Sequence, residues 1–506
     1  MSSASLTAAR RAADIDALAG GEVVDVLVVG GGITGVGVAL DAVSRGLSVA
    51  LVERCDLAHG TSRWSSKLIH GGLRYLAQGK VGIAYESAKE RDVLLRRTAP
   101  HLVRPLGWLA PFTAQTSRSS SLSARVGWRA ADALRVASGT PGSLLPRARF
   151  ISSDAVLAAC PVLDPAGVRG GVSYADGQVE DDARLVIAVA RTAAAYGARV
   201  ITYCSAQSVD GGGAHVRDEL RGASFDIRAR HVVNATGVWA DTLADGVHLT
   251  PSKGAHLIVR ASALGSPTIG VTVPVVGERF RYVFAVPVAD DRVVIGLTDD
   301  PSSEPVPDVP QADEADTAFL LEHMSRALEV PLTEADVIGS YAGLRPLLAG
   351  EEGSTSDLSR KHAVIEGKDR VITVVGGKLT TYRQMAEDTV DVIAGRDGVD
   401  AGPCTTRTLP LVGAASRRAL ARVAAPARLV RRYGAEAPLV VALAGNDPAM
   451  LAPIAPTVPT TPAELLFGVC HEGATSVDDL LDRRTRIGLV PADRDLAVSA
   501  ATAALS

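Results

Sequence analysis

The stretch Asp25–Glu53 restricts the fold more than any other part of the chain. Val23–Val29 is a run of apolar, mostly β-branched residues, which predicts a strand buried on both faces. It leads into Gly30-Gly31-Gly32-Ile33-Thr34-Gly35, a G-x-G-x-x-G pattern, then into a helix expected over 34–45 and a strand over 48–53. In such a unit Gly30 allows a tight turn, Gly32 lets backbone approach a pyrophosphate, and Gly35 lets helix pack on strand. The helix N-terminus at Thr34 turns unpaired N–H groups and a positive dipole end toward phosphate. Glu53 closes the second strand, where a carboxylate accepts hydrogen bonds from a ribose diol. The unit predicts a dinucleotide site, and by itself does not separate a flavin from a nicotinamide nucleotide.

Three downstream stretches make that distinction. Cys55–Tyr75, CDLAHGTSRWSSKLIHGGLRY, is dense in hydroxyls, glycines and cations immediately after the ribose strand. A nicotinamide dehydrogenase would enter its next helix sooner, whereas a long polar loop suits a chain that threads backbone over a flavin. Leu68, Ile69, Leu73 and Leu76 predict that part of this loop is buried. His231–Asp241, HVVNATGVWAD, runs a hydrophobic strand into small residues that can pass beside a cofactor. Val374–Arg383, VVGGKLTTYR, is a strand, a glycine pair and a helix start. A helix N-terminus there would stabilise negative charge gathering on the flavin pyrimidine during reduction.

Further strands are expected at 198–201, 282–288, 293–296 and 371–375, and helices at 85–97 and 182–196. The pattern is α/β at the front and antiparallel around 250–300. Past Pro403 the chain becomes Ala/Leu/Arg-rich, with helices expected at 416–433, 438–444 and 476–486, so 403–506 reads as a separate helical cap.

Charge excludes one partner: 52 basic against 56 acidic residues give a net charge of -4, with no field for nucleic acid. The five cysteines are scattered without a C-x-x-C pair, which predicts no metal site, no disulfide framework and a reducing cytoplasm. Residues 1–20 do not form a signal peptide, and the apolar run at 23–43 carries Asp25, Asp41 and a glycine turn that a bilayer span would not tolerate. Any membrane contact is therefore expected to be peripheral. Residues 117–149 hold Arg118, Arg125, Arg129, Arg135, Arg147 and Arg149 against Asp132, with apolar residues at helical spacing. Such a helix lies on an anionic membrane surface or packs as an ordinary surface helix, and both readings stand.

With these motifs in place, the sequence resembles the FAD-dependent, quinone-linked glycerol-3-phosphate dehydrogenases, within the wider glycine-oxidase and D-amino-acid-oxidase superfamily. The likeness runs over 25–383 and is carried by GGGITGVGVALDAVSRGLSVALVE, GTSRWSSKLIHGGLRYL, APHLVRP, VEDDARLV, VNATGVWAD, SKGAHLIV, IGLTDD, YAGLRPL and VVGGKLTTYR. RRTRIGLVP at 483–491 extends it into the cap. TSRWSSKLIHGGLRYL and GGKLTTYR are specific to the family. The regions 110–150 and 300–310 match poorly, and the last hundred residues match mainly near 480–491.

The resemblance implies an α/β fold (α+β overall) of the two-dinucleotide-binding type, with an antiparallel-sheet substrate domain and a C-terminal helical cap. FAD-binding parts are expected at 20–105, 161–250 and 341–400, a basic substrate-side insert at 106–160, the substrate sheet at 251–340 and the cap at 403–506. It places non-covalent FAD against Gly30, Gly32, Thr34, Gly35 and Glu53, then Thr61, Ser62, Ser66, Lys67, Leu68 and His70. Ala235, Thr236, Gly237, Trp239, Gly377, Lys378, Leu379 and Thr380 complete that set. No cysteine or histidine stands where a covalent flavin link is required.

Oxidising a secondary alcohol removes a hydride from carbon and a proton from oxygen, so the chain must supply a base and a phosphate anchor. Arg74, Lys253, Arg345 and Lys378 are candidate cations, each beside glycine or a small residue. Arg345 offers a fixed fork and Lys378 a point charge. The resemblance puts both in a substrate pocket lined by Arg74, Tyr75, His256 and Thr380. His70 and His256 are the candidate bases, with His70 preferred, and Asp299 a supporting residue. The implied reaction takes sn-glycerol 3-phosphate to dihydroxyacetone phosphate and passes electrons to a membrane quinone, with the protein docked at the inner face of the cell membrane. An oxidase using oxygen, an amine or amino-acid oxidase, and a non-enzymatic FAD-binding protein are the alternatives. A homodimer is left open.

Overall fold

A computed structural model describes residues 4–72, 75–76, 79–113, 116, 118–244, 246–278, 281–302, 305–348 and 362–506, and the side chains of 118–126 are not described. Val23–Val29 forms the expected central strand, parallel to Val49–Val52 on one side and to Ser224–Asn234 on the other. Leu27 pairs with Val232 and with Ala50 across this centre. Arg199–Ile201 extends the sheet beyond Val49–Val52, and Ile372–Val375 lies parallel to Ser224–Asn234. Both faces are covered at the centre, which is why Val49–Val52 is apolar throughout and Val23–Val29 nearly so. Ser224–Asn234, in contrast, alternates exposed and buried residues over its first half and is continuously buried only at its end.

The helix Ile33–Ser44 is buried almost all round because two other helices, Asp182–Ala195 and Tyr382–Ala394, pack against it. Gly37 makes one of these approaches: a Cβ there would sit 2.9 Å from Tyr382. The expected 182–196 helix ends at Ala195 and carries an N-cap from Asp181. The expected 85–97 helix begins earlier, at Val81, and widens into a π-helical turn over Leu94–Thr98.

A second sheet is mainly antiparallel and draws on widely separated stretches of chain. Ser252–Arg260, Gly270–Pro274, Tyr282–Val288, Arg292–Gly296 and Val337–Arg345 form one block. Val103–Pro111 joins it parallel to Gly270–Pro274, and Gly171–Val179 then pairs with Val103–Pro111 along nine residues and with Leu68–Ile69. Sheet membership therefore cuts across the spans proposed from the sequence. Gly171–Val179 stands in this second sheet, and Val337–Arg345 runs past residue 340 within it.

The C-terminal region is helical, in shorter pieces than its composition suggests. The helix expected over 416–433 is two, Arg417–Leu420 and Ala427–Tyr433, because Pro426 sits extended between them. Asp479–Arg484 is a π-helical turn. Pro462–Glu472 and Pro491–Leu505 form the cap's own core. Arg118–Ala137 is a helix, as its spacing predicts, and Trp128 packs it against Tyr174 at 4.1 Å between ring centroids. No described helix is long and apolar enough to cross a membrane.

Candidate active site

A cavity of ≈ 1340 Å³ takes its wall from both sheets and from the loops between them. At one end lies the glycine turn. Gly30 holds φ +112°, and a Cβ there would stand 2.6 Å from the Ala235 carbonyl oxygen. Gly35 backs onto the Gly30 carbonyl so closely that any side chain would overlap it. The Ser62 hydroxyl accepts the Ile33 N–H at 2.9 Å, tying the downstream loop to the start of the helix. Glu53 accepts from Gly31 N–H at 2.6 Å and from Cys55 N–H at 2.9 Å. Burial raises its pKa, and those two N–H groups pull the other way. Beyond it, Arg54 lies over the Trp239 ring at 5.4 Å.

At the other end, Arg345 leaves its strand with the guanidinium over Gly254, where no Cβ could be accommodated. Its Nη1 donates to Asp299 at 2.9 Å and to Ser252 Oγ at 3.0 Å, and Nη2 to the Thr298 carbonyl at 3.3 Å. Asp299 thus fixes the orientation of the Arg345 guanidinium. Lys378 donates to Ser87 Oγ at 2.7 Å with its ammonium 4.0 Å from the Tyr75 ring centroid. Gly376 and Gly377 have φ of +78° and +70°, a conformation that glycine adopts without strain, and the chain turns there into Leu379–Thr381 and the helix Tyr382–Ala394. The N-terminal end of that helix lies beside cavity-lining Leu379 and Thr380.

His256 is buried, stacked on Tyr341 at 4.6 Å, with Nε2 2.8 Å from Ser66 Oγ. Burial, reinforced by the Lys67 and Arg345 charges, holds its pKa well below the usual histidine value, so the ring is neutral at neutral pH. His70 lines the same cavity. Its neighbour Gly71 donates to Asp176, which also pairs with Arg91 at 2.6 Å, and a Cβ on Gly71 would collide with that guanidinium.

The cavity wall thus brings together the expected residues Gly30, Gly32, Thr34, Glu53, Thr61, Ser62, Ser66, Leu68, His70, Tyr75, Ala235, Thr236, Gly237, Trp239, His256, Arg345, Gly377, Lys378, Leu379 and Thr380. Gly35 stands behind the wall as a packing residue. Lys67 does not line it. Between cavity-lining Ser66 and Leu68 it takes a left-handed φ of 60° and turns its ammonium to Asp182 at 2.7 Å. Burial brings its pKa down to about 8, against the pull of Asp182. Although burial alone would raise the Asp182 carboxyl, Lys67 and Arg486 hold it below the usual range. Lys253 also faces away, pairing with Asp313 at 2.6 Å and Asp316 at 2.8 Å. Arg74 lies outside the described residues.

Other wall residues were not singled out from sequence. Trp64 and Ser65 stand inside the TSRWSSKLIHGGLRYL motif and could have been read there. Trp108, Tyr174 and Phe284 come from strands in different parts of the chain and form an aromatic arm of the cavity, Trp108 stacked on Tyr174 at 5.9 Å.

A family model for FAD dependent oxidoreductase matches residues 25–383, and one for the C-terminal domain of alpha-glycerophosphate oxidase matches 404–506. Glycerol-3-phosphate dehydrogenase 1 of Mycobacterium tuberculosis (strain ATCC 25618 / H37Rv) is 50% identical over 511 residues, covering 100% of this chain and 99% of its own length. The chain belongs to the FAD-dependent glycerol-3-phosphate dehydrogenase family. A family member from Synechocystis sp. is 32% identical over 506 residues, covering 93% of this chain and 90% of its own. The glycerol-3-phosphate dehydrogenase from Bacillus halodurans, solved with FAD, superposes with a TM-score of 0.75 at 29% identity, covering 99% of this chain and 94% of that one. Glycine oxidase from Geobacillus kaustophilus shares the fold alone, with a TM-score of 0.52 at 19% identity over 74% of this chain and 96% of its own.

The cofactor of the family is FAD, and the cavity fits it. The glycine turn leaves room for backbone to meet a pyrophosphate, Glu53 presents a carboxylate to the cavity beside that turn, and a helix starts beside the Lys378 end. The fold is the two-dinucleotide-binding type, with a mainly antiparallel second sheet and a helical C-terminal domain.

Proposed function

We propose that the chain oxidises sn-glycerol 3-phosphate to dihydroxyacetone phosphate and passes the electrons to a membrane quinone. The observation that carries the substrate is Arg345, held by Asp299 and Ser252 on the same cavity wall as Lys378 and two imidazoles. A planar fork with a fixed orientation suits two phosphate oxygens, and Lys378 adds a point charge. Bound FAD supplies the hydride acceptor at its N5.

The chain supplies the rest. His256, neutral and already bonded to Ser66, is a weak terminal base and serves better to orient substrate oxygen. His70 then takes the hydroxyl proton, as general base. Tyr75 packs against the Lys378 ammonium and keeps it on the wall. The family resemblance adds Arg74 to this set, outside the described residues.

The quinone reading is supported by the aromatic arm of Trp108, Tyr174 and Phe284, flat apolar surfaces on which a planar acceptor can stack. Peripheral docking at the inner face of the cell membrane would bring such an acceptor within reach. Oxygen is the second reading, since one matching family model is described from an oxidase. Anaerobic mixing with glycerol 3-phosphate should bleach the flavin, and bleaching only by amino acids would overturn the substrate. Turnover with a soluble quinone should then exceed turnover with oxygen, and the reverse ranking would overturn the acceptor.

A further inference from the structure

The C-terminal domain reaches the cofactor loop through one short segment. Arg484 clamps Asp56 with two donors, Nη1 to Oδ2 at 2.6 Å and Nη2 to Oδ1 at 2.9 Å. Arg483 Nε donates to the same Oδ2 at 2.6 Å, while its Nη2 donates to Asp479 at 2.6 Å. Two residues on, Arg486 takes a left-handed φ of 62° and donates from Nη2 to the Arg63 carbonyl at 2.5 Å. Its guanidinium lies 5.0 Å from the Trp64 ring centroid, with Arg63 itself 4.2 Å from that ring.

Asp56 and Arg63 bracket the loop whose His59, Gly60, Thr61 and Ser62 line the FAD cavity. The loop touches the dinucleotide turn at two points: Ala58 N–H donates to the Gly31 carbonyl at 3.0 Å, and Ser62 Oγ accepts from Ile33 N–H. Just ahead of the loop, Cys55 N–H donates to Glu53, which also accepts from Gly31 N–H. Asp56 is fully buried, so its carboxylate keeps this position only while paired. Deprived of the arginines it must move toward water, and it carries with it the backbone that fixes Glu53 and the glycine turn.

We infer that the C-terminal helical domain is a cofactor-retention device, in which Arg483, Arg484 and Arg486 act as positioning residues for the 56–64 loop. Loosening this grip weakens FAD binding before it unfolds the protein. The inference goes beyond the reaction proposed above and does not depend on the substrate or acceptor.

The test uses the full chain and titrates apoprotein with FAD, following flavin fluorescence. Arg486→Leu should raise the FAD dissociation constant about tenfold or more, with kcat recovered at saturating FAD. Arg428→Ala is the control. Arg428 bonds to Asp290, Glu464 and Thr460 and makes no described hydrogen bond or ion pair with the 56–64 loop. It should lower the melting temperature while leaving FAD affinity within about twofold. Should Arg486→Leu not fold, Arg486→Lys keeps a donor for the Arg63 carbonyl and should fall between wild type and a roughly tenfold loss. An unchanged dissociation constant in the Arg486 variants overturns the inference. So does an equal loss of FAD in Arg428→Ala at the same drop in melting temperature.

Discussion

Replacing Arg345 with leucine tests the proposed phosphate anchor, and the number of hydrogen bonds its fork can offer sets the size of the effect. A charge-assisted hydrogen bond is worth about 1.5–3 kcal/mol, so a two-bond grip on phosphate is worth ~3–6 kcal/mol. That corresponds to a loss of roughly two to four orders of magnitude in kcat/KM for glycerol 3-phosphate. Glycerol, which lacks the phosphate, cannot use the grip, so its much lower kcat/KM should change by less than about threefold. Steady-state kinetics on both substrates therefore separates anchoring from general damage. The substitution also takes the cation from Asp299, which Arg345 partners at 2.9 Å and which keeps the Ser252 hydroxyl at 2.7 Å, at a stability cost of about 1–3 kcal/mol. Adding Asp299→Asn should recover part of that stability without recovering kcat/KM. Equal losses on glycerol and glycerol 3-phosphate would refute the anchoring argument, because no phosphate-specific contact would then have been removed.

Two further outcomes are expected. Gly35→Ala puts a Cβ against the Gly30 carbonyl, so the purified variant should lose most of its flavin absorbance, and a fully loaded yellow variant would show that the turn can yield. His101 is buried, and burial, with the Arg184 charge, takes its pKa down to about 3. The unfolded chain binds that proton near pH 6.5 and the folded chain does not, so stability falls as pH drops from about 6.5 toward 3, by up to ~1.4 kcal/mol per pH unit. His101→Gln should flatten the pH dependence of the urea midpoint across that window, and an unchanged slope would exclude His101 as its source.

The dinucleotide unit was legible because its signals are local. Glycine at Gly30 answers to a positive φ, and a continuous Val/Leu run answers to burial on both faces. The returning strands at 231–235 and 371–375 were legible for the same reason. Lys67 shows where local reading ends. Its neighbours Ser66 and Leu68 line the cavity, but its own direction is decided by a left-handed backbone and by Asp182, a residue far along the chain. Lys253 likewise answers to Asp313 and Asp316 in a later helix region. Trp108 and Tyr174 carry no motif, because their meeting is a matter of strand register, with Trp108 opposite Tyr174. RRTR at 483–486 was visible as likeness, while its targets, Asp56 and the Arg63 carbonyl, are contacts of the fold.

The order in which the cavity is assembled along the chain has a consequence for biosynthesis. Its wall takes Gly30 from the first strand unit, Trp108 and Ala235 from the middle, and Arg345 and Lys378 from late segments. The loop beside Gly30 meets its arginine brace only at 483–486, near the last helix. A nascent chain still held at the ribosome therefore has a dinucleotide turn long before it has a closed cofactor site. FAD capture becomes a late event, and a chain cut short just before Arg483 would carry every wall residue of the cavity yet lack the arginines that hold its cofactor loop.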